Sequence, residues 1–405
     1  MKVLIAHNRY RSAAPSGENR VVDTESAALA ALGHEVTRYE CSSDDIEGWS
    51  PARKAALPAR VLWSGQAHRE LAARLRRERP DVVHVHNTFP LLSAAVLYAC
   101  RGAGVPVVAT VHNYKLECAS GDFFRSGSVC HDCAGTLPGR AVVRGCYRES
   151  RAATIPVALA MTAHRRAWRS MVSAYIFISA AQRDLLAGLR LDSDRVFVRH
   201  NLIPRVAEPR PPRDAVLVYA GRLDDAKGIP ILMAGWDHYL AADGERALSL
   251  VIAGAGPLDR QVASWASARP SVRLAGQLDK ASCARLVAGA RAVVVPSAWE
   301  ETFGLVVVEA MASGVPAIAA GHGSLTELIT DDENGVLFPP GDAAALGRAI
   351  GNLAAHPDRY EGYGEAAERT HRLRFDPDRN LAQLLGIYEF ARAHPVGSAR
   401  SKEMA

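Results

Sequence analysis

Two glutamates in the C-terminal half of the chain have a spacing that suits a ligand with a phosphate group. Glu301 lies in an acidic loop, and Glu309 follows it in an apolar segment. The apolar runs 292–296 and 315–320 predict two parallel strands, with a short helix between them that begins after the loop. Unpaired N–H groups at a helix start attract anions, above all phosphate. The two carboxylates could then reach opposite ends of a ligand, and a nucleotide-sugar has that shape. A buried strand–helix unit with solvated glutamates is the alternative.

A second group of charged residues follows the predicted strand 216–221. Arg222 and Lys227 lie five residues apart in the run Gly-Arg-Leu-Asp-Asp-Ala-Lys-Gly. A guanidinium can offer a planar fork to one phosphate, and an ammonium can offer a point charge to the other. The pair therefore suits a diphosphate, although a solvated turn is the plainer interpretation. Further along, Gly256 belongs to a short Gly-Ala-Gly turn after an apolar strand. By itself that turn predicts only a strand–helix connection.

Polar residues also end two strands in the N-terminal half. His112 ends the strand 107–111, while His84, His86 and Asn87 end the strand before it. Ligands bind at the carboxyl ends of parallel strands in open α/β sheets. We therefore expect His112 at a site, and we expect His86 and Asn87 to line its acceptor side. Packing at the strand end is the alternative for each of them.

These runs together resemble glycosyltransferases of family 4. Glu301 and Glu309, with Phe303-Gly304 between them and Ala310-Met311 after them, are similar to the E-x7-E motif of the retaining enzymes of that family. The run from Gly221 to Gly228 is similar to the family's G-R-L-x4-K-G motif, with a spacer one residue shorter. The loop Ser16-Gly17-Glu18 resembles the family's Gly-Gly-Glu loop, with Ser16 in place of the first glycine. It does not match G-x-G-x-x-G, which counts against a dinucleotide oxidoreductase.

The resemblance implies the GT-B fold, an α/β architecture of two Rossmann-like domains with parallel sheets that face each other across a cleft. It implies a nucleotide-sugar donor, most simply a UDP- or GDP-sugar, and retention without a protein nucleophile or a catalytic metal. His112 and Glu301 would contact the reacting sugar, and Glu309 would contact the ribose. The acceptor would be a glycan, a lipid-linked precursor or a small molecule. The other residues implied in donor binding are Gly17, Arg222, Lys227, Gly256, Phe303, Gly304 and Leu305.

Strand and helix patterns alternate along the chain, as they do in α/β proteins. The proline-rich stretch 201–213 predicts a linker, and a strand pattern restarts after it. We expect an N-terminal domain over 1–201, with a Cys-rich insertion at 113–147, and a nucleotide-sugar-binding domain over 202–375. Asp376-Pro377 is a typical helix start, so 376–393 should form a helix. By resemblance this helix crosses back to the first domain, and 394–405 should be a flexible tail.

Composition excludes several classes of protein. The 405 residues are 48% apolar and 22% charged, with a net charge of +5. That balance is typical of a globular protein, and it does not call for nucleic acid as a partner. Neither a signal peptide nor an apolar run of bilayer length is evident. We therefore expect a cytoplasmic protein, in which the seven cysteines are poor candidates for structural disulfides.

Four of the cysteines predict a structural metal site. Cys118, Cys130, Cys133 and Cys146 have the spacing C-x11-C-x2-C-x12-C in a loop-rich segment. Four thiolates in such a segment are typical of tetrahedral zinc, which would order an otherwise irregular insertion. Reduced buried thiols or a redox pair are the alternatives.

The predicted helix 151–171 combines an apolar run with Trp168 and several arginines. Such a helix could associate weakly with a membrane surface, although a packed helix with a basic end is the simpler interpretation.

Two rival functions share this pattern of residues. A non-catalytic nucleotide-sugar-binding protein would need Arg222, Lys227 and Glu309 but could dispense with Glu301 and His112. A nucleotide-sugar epimerase of the same fold would retain all of them. The presence of Glu301 and His112 favours an enzyme over a binding protein.

Overall fold

The computed structural model describes residues 1–12, 16–204, 213–243 and 248–396. The chain forms two compact units. The first comprises Met1–Phe123, His131–Leu202 and the residues from Asp378 onward. The second comprises Phe124–Cys130 and Ile203–Pro377. The segment Phe124–Cys130, which the sequence analysis assigned to the first domain, therefore groups with the second.

The strands up to the linker alternate with helices, as the sequence predicts. In chain order they are β1 (Lys2–Arg9), β2 (Glu35–Ser42), β3 (Val82–Val85), β4 (Val107–Val111), β5 (Phe124–Arg125), β6 (Ser128–Val129), β7 (Ala174–Phe177) and β8 (Val196–Val198). β5 and β6 form a short antiparallel hairpin. The others form one parallel sheet in the order β2-β1-β3-β4-β7-β8. Every residue of β3 and β4 is buried, as a strand covered on both faces requires.

The helices of the first half begin with α1. They are α1 (Gly17–Ala31), α2 (Pro51–Ala55), α3 (Leu57–Leu62), α4 (Gly65–Glu78), α5 (Ala95–Ala103), α6 (Gly139–Arg144), α7 (Arg151–Met171) and α8 (Ala180–Leu185). Short 3-10 turns occupy Ser43–Ile46, Ala187–Leu189 and Ser193–Arg195. The Cys-rich insertion is less irregular than predicted, because it contains α6.

The second unit repeats the alternation around a sheet of its own. Its strands are β9 (Val216–Ala220), β10 (Ser249–Ala253), β11 (Val272–Gly276), β12 (Ala292–Val295), β13 (Ala317–Ala320) and β14 (Gly335–Phe338). They run in the order β11-β10-β9-β12-β13-β14, and every neighbouring pair is parallel. The helices are α9 (Ile229–Asp243), α10 (Asp259–Ser267), α11 (Lys280–Ala288), α12 (Leu305–Ala312), α13 (Leu325–Leu328), α14 (Ala343–Ala355) and α15 (Pro357–Arg374). The predicted α/β class, with a parallel sheet in each of two domains, is confirmed.

Each sheet has a point where the chain reverses its direction of winding. Within the second unit the strands lie in the order 3-2-1-4-5-6, so the reversal falls between β9 and β12. In the first sheet it falls between β1 and β3. In open α/β sheets this switch point, outside the carboxyl ends of the strands, is where ligands bind.

A final helix, α16 (Pro377–Ala393), packs on the first sheet. Its buried residues Leu381, Leu384 and Tyr388 join the apolar core that β1, β3, β4 and β7 share. Within the predicted tail 394–405, Val396 N–H donates to Ser173 Oγ at 3.3 Å, so the described start of that segment is held by the first unit. The rest of that predicted tail, 397–405, and most of the predicted linker, 205–212, lie outside the described residues.

Candidate functional site

The switch point of the second sheet holds an ion pair between a half-buried lysine and a buried glutamate. Lys227 follows β9, Glu301 follows β12, and their Nζ and Oε1 atoms lie 2.7 Å apart. Ser297 Oγ donates to the same carboxylate oxygen at 2.6 Å. Burial alone would raise the pKa of the Glu301 carboxyl, but the charge and hydrogen bond of Lys227 lower it below its usual value. A charged pair is therefore in place before any ligand arrives.

Arg222 lies beside this pair on the same loop. Its side chain is 60% exposed and pairs with Asp224, whose other carboxylate oxygen accepts from the Lys227 backbone N–H at 2.8 Å. Tyr219 donates its hydroxyl to the Arg222 carbonyl at 2.7 Å. The loop backbone is thus fixed from both sides, while the guanidinium remains accessible to an anion.

Two glycines allow this loop to approach its neighbours. Gly228 has a φ of +74°, and a Cβ atom there would lie 1.8 Å from the Pro296 carbonyl oxygen. A side chain would therefore push Lys227 away from the loop that carries Glu301. A Cβ atom on Gly256 would lie 2.3 Å from the Leu223 carbonyl oxygen. Gly256 thus supports the Arg222 loop by close packing, which is a structural role whether or not a nucleotide lies nearby.

The helix of the E-x7-E run begins as predicted. Gly304, with a φ of +79°, precedes α12, whose first residue is Leu305. Glu309 lies one turn into the helix and is partly buried. The Phe303 side chain is only 2% exposed and contacts the Phe375 ring edge-on, with centroids 6.2 Å apart. Any contact of Phe303 with a donor must therefore come from its backbone.

In the first unit, the ends of β3 and β4 bring two histidines together. His86 Nδ1 and His112 Nε2 lie 2.9 Å apart, and the two rings are 17° from parallel. Burial, reinforced by the charge of His7, lowers the pKa of His112 to about 3. Burial and the neighbouring histidines hold the pKa of His86 well below its usual value. Both rings are therefore neutral at pH 7.

The other two polar residues at the end of β3 are bound within the fold. His84 has both ring nitrogens paired, with Tyr388 OH at 2.8 Å and with Thr110 Oγ1 at 2.7 Å. Asn87 donates to the Asn8 carbonyl at 2.9 Å, and its amide oxygen accepts from the Phe89 N–H at 2.9 Å. Asn87 therefore joins β1 to β3 at the switch point, so its predicted contact with an acceptor would compete with these bonds.

A buried carboxylate behind the histidines was missed in the sequence analysis. Glu25 lies in α1 with its side chain 1% exposed, and its Oε2 accepts from Arg199 Nη1 at 2.7 Å. The sequence does indicate that Glu25 is buried. Val21, Val22 and Leu29 form the apolar face of α1, and Glu25 lies on the same face. Arg199 carries no such signal, since it follows a short strand far along the chain.

The loop that resembles Gly-Gly-Glu starts α1. Ser16 caps the helix by accepting from the Glu18 N–H at 3.2 Å, and Gly17 is the first helical residue. Residues 13–15 of the loop lie outside the described residues. Burial raises the pKa of the Glu18 carboxyl to about 8, although hydrogen bonds from Tyr10 and Asn113 favour the ionised form. A protonated Glu18 removes one negative charge from a loop expected to meet a phosphate or a sugar.

A cavity of about 120 Å³ opens beside the two histidines. His86, His112, Asn113 and Lys115 form its polar part. The rest of its wall includes the apolar residues Val61, Val157, Ala160, Met161, Trp168 and Leu189, together with His164 and Arg165. The cavity can hold a ligand that has a polar group at the histidine end and an apolar body.

The four cysteines predicted to bind zinc have different surroundings in the structure. Among the described residues, the only group of three ligand side chains within 4.8 Å is Glu25, His84 and His86. Cys118 instead contacts Ser120, with Sγ and Oγ 3.1 Å apart. Cys133 and Cys146 pack against an apolar cluster of the first unit. Cys118 is buried and the other three cysteines are partly buried. Zinc bound by the four cysteines stays a prediction that elemental analysis of reduced protein can test.

The helix considered for membrane contact buries one face and exposes another. Val157, Ala158 and Ala167 of α7 are buried, whereas Ile155 and Leu159 are 45% and 54% exposed. In the part of the chain that is described, no helix is both long and apolar enough to cross a bilayer. Weak association with a membrane surface stays a prediction.

Two family models match the chain, one for each domain. Residues 15–205 match Glycosyltransferase Family 4, and residues 214–356 match Glycosyl transferases group 1. The chain is therefore a glycosyltransferase. Its two α/β domains have the fold of the GT-B enzymes.

Known proteins are similar over nearly the full length. A phosphatidyl-myo-inositol mannosyltransferase of Mycobacterium leprae is 24% identical over 395 residues, which cover 94% of each chain. A sucrose-phosphate synthase from Thermosynechococcus elongatus has a TM-score of 0.68 at 18% identity, covering 96% of this chain and 98% of the other. An Anabaena protein crystallised with UDP-glucose has a TM-score of 0.64 at 17% identity, covering 95% and 99%.

The raised pKa of Glu18 predicts how a substitution there should respond to pH. Below the unfolded pKa of about 4.5, both states hold the proton and Glu18 has no effect. As the pH rises from there towards 8, the unfolded carboxyl ionises first, so the native protein loses stability. Glu18→Gln avoids this loss. Its Tm should equal that of the parent in acid and exceed it increasingly up to about pH 8, as measured by differential scanning calorimetry. A constant difference across that range would contradict the assignment.

Proposed function

We propose that the protein transfers a sugar from a nucleoside-diphosphate donor to an acceptor hydroxyl with retention of anomeric configuration. The observation that carries this proposal is the Lys227–Glu301 pair at the switch point of the second sheet, with its charged atoms 2.7 Å apart and its carboxylate buried. A cation for phosphate and a carboxylate for sugar hydroxyls stand together where α/β sheets bind ligands. The two family matches supply the class of reaction.

The donor would bind through its diphosphate. Arg222 is exposed and can turn from Asp224 towards a phosphate, and Lys227 adds a second positive charge. The N–H groups at the start of α12 add partial positive charge, and Glu309 can bind ribose hydroxyls. A UDP- or GDP-sugar suits this arrangement. The Anabaena protein with a similar fold was crystallised with UDP-glucose, which supports UDP as the first base to test.

The chemistry we propose needs no protein nucleophile. The bond between the anomeric carbon and the diphosphate oxygen breaks, and the acceptor oxygen bonds to the same face of that carbon. The departing phosphate oxygen takes the proton of the acceptor hydroxyl, so charge and atoms balance. Arg222, Lys227 and the α12 amides stabilise the negative charge that grows on the diphosphate. Glu301, already held by Lys227 and Ser297, positions the sugar with little loss of conformational entropy.

The acceptor would occupy the cavity beside His86 and His112. Its hydroxyl would lie at the polar end, and an apolar body would contact Met161 and Trp168. An amphipathic acceptor, such as a lipid-linked or aromatic glycoside, fits these walls better than a free hydrophilic sugar. The mycobacterial relative is named for a lipid acceptor, which is consistent with this preference.

The proposal is tested by incubating the protein with UDP-, GDP- and dTDP-sugars and with matched acceptors that carry or lack an apolar group. We expect transfer from one nucleotide class, and a product whose anomeric configuration equals that of the donor sugar in the proton NMR spectrum. An inverted product would disprove retention. Donor binding without transfer or hydrolysis would indicate a binding protein, and a changed sugar on the intact nucleotide would indicate an epimerase.

Arg222→Ala and Lys227→Ala should each weaken nucleoside-diphosphate binding by about 10²-fold, because each removes a charged partner of the phosphates. Isothermal titration calorimetry with UDP and GDP provides the measurement. Lys280→Ala is the matched control, since Lys280 is an exposed lysine of the same unit. Arg222 is the cleaner test, because Lys227→Ala also leaves the Glu301 charge uncompensated. Unchanged affinity for both nucleotides in both variants would contradict the proposed donor site.

Glu309→Gln and Glu301→Gln should have different kinetic effects. A neutral amide binds ribose hydroxyls less well than a carboxylate, so Glu309→Gln should mainly raise the donor KM. Glu301→Gln should mainly lower kcat, since its proposed partner is the reacting sugar. Steady-state kinetics at saturating acceptor separates the two effects. The reverse pattern would mean that the two roles are exchanged.

A further inference from the structure

A continuous chain of buried polar groups runs from helix α16 to His112. Asn380 of α16 accepts from Arg199 through its backbone oxygen at 3.2 Å and its side-chain oxygen at 2.7 Å. Arg199 binds Glu25 through an ion pair. Glu25 Oε1 faces His86 Nε2 at 3.7 Å, and His86 contacts His112. All five side chains are at most 9% exposed. None of them except His112 and His86 was expected at a site.

The middle member of this series, Glu25, is an ionised carboxylate. Burial alone would raise the pKa of the Glu25 carboxyl, but Arg199 and His84 outweigh burial and lower it to about 2. Glu25 Oε2 is bound to Arg199, and Oε1 lies 3.1 Å from His84 Nδ1 and 3.7 Å from His86 Nε2. The negative charge therefore faces both histidine rings.

A metal ion is a poor explanation of this cluster. Its three ligand atoms lie within 4.8 Å of one another, but Arg199 already neutralises the carboxylate. Both nitrogens of His84 already have partners in Tyr388 and Thr110. A cation would have to displace these partners next to a buried guanidinium, which is electrostatically unfavourable.

The inner end is a hydrogen bond between two neutral rings. Of His86 Nδ1 and His112 Nε2, one carries the proton and the other accepts it. If His86 donates, its Nε2 presents a lone pair to the Glu25 carboxylate. If His112 donates, His86 Nε2 carries a proton that points to the carboxylate. Glu25 Oε1 and His86 Nε2 are both buried and neither makes a hydrogen bond, and they lie 3.7 Å apart. Oε1 also lies 3.1 Å from His84 Nδ1. The negative charge of the carboxylate favours a proton on His86 Nε2, which is the second arrangement.

We propose that Glu25, acting through His86, fixes the tautomer of His112 with its proton on Nε2 and leaves Nδ1 as a hydrogen-bond acceptor. Glu25 and His86 are then positioning residues. Arg199 keeps Glu25 ionised, and Asn380 holds Arg199 in place, so α16 takes part in setting the protonation of a residue at the end of β4.

The tautomer decides what His112 can bind. A neutral ring that presents a lone pair accepts a hydrogen bond from a sugar hydroxyl, but it repels a phosphate oxygen. This consequence rests on the proposed function, whereas the tautomer itself does not. His112 would therefore select a donor sugar that has a hydroxyl at the contacted position, and it would contribute little to nucleotide affinity.

The tautomer is measured directly on the full-length protein. Labelling with 15N-histidine and recording long-range proton–nitrogen correlation spectra near pH 7.5 distinguishes protonated from unprotonated ring nitrogens. We expect Nε2 of His112 to be protonated and Nδ1 to be unprotonated, with the signal assigned by its loss in His112→Ala. The opposite tautomer, or a charged ring, would overturn the proposal. This measurement needs no donor, so it stands even if no transfer activity is found.

Glu25→Gln tests the cause. Arg199 should retain the amide oxygen, so the amide N–H group would take the place of Oε1 and donate to His86 Nε2. His86 would then donate to His112, and His112 Nδ1 would gain the proton. We expect the spectrum to show this switch and kcat to fall by about 10- to 100-fold, because a donor then faces the sugar hydroxyl's proton. Nucleotide affinity should stay unchanged.

Tyr388→Phe is the matched control. It removes another buried hydrogen bond of the same cluster, at His84, without touching His86 or His112. It should lower stability but leave the His112 tautomer and kcat near those of the parent. An unchanged tautomer in Glu25→Gln, or an equal loss of kcat in Tyr388→Phe, would reduce the Glu25 chain to a purely structural role. A stoichiometric metal ion lost on His86→Asn would also overturn the proposal.

Discussion

The ion pair between Glu25 and Arg199 is the interaction on which the first unit depends most. It joins helix α1, the segment after β8 and, through Asn380, helix α16. A buried charge pair costs much of its Coulomb energy in desolvation, but removal of one partner leaves the other uncompensated and typically costs about 3–5 kcal/mol. The pair therefore ties three distant segments to one arrangement. The polar residues at the ends of β3 and β4 are placed within that arrangement.

The second unit depends on a comparable constraint at its own switch point. Lys227 and Glu301 come from loops that follow β9 and β12, the two strands between which the winding reverses. Gly228 lets these two loops pack closely, because a Cβ atom at this position would clash with the Pro296 carbonyl oxygen. The positions of Lys227 and Glu301 are thus fixed in advance, so a ligand that bound both would require little reorganisation.

The cysteines show how spacing and placement can differ. Four cysteines in C-x11-C-x2-C-x12-C order are compatible with zinc, but spacing fixes only which ligands are available. In the structure, helix α6 and the start of α7 order part of this insertion by packing Val157 and Ala141 against Cys133 and Cys146. Apolar contacts thus contribute to the order of this insertion, and zinc bound by the four cysteines stays a prediction.

The α/β class and most strand and helix positions follow from the sequence alone, which also marks the charged residues that we propose bind a diphosphate. These features are local, because periodicity fixes an element and a glycine or a charge at a strand end marks a ligand loop. The sequence also placed His112 and His86, since each ends a buried strand. Only the tertiary structure decided that Glu25 and Arg199, 174 residues apart, stand behind those histidines. The tertiary structure also shows that Asn87 is bound within the fold. Such pairings depend on how helices settle on the sheet, and no local pattern encodes that packing.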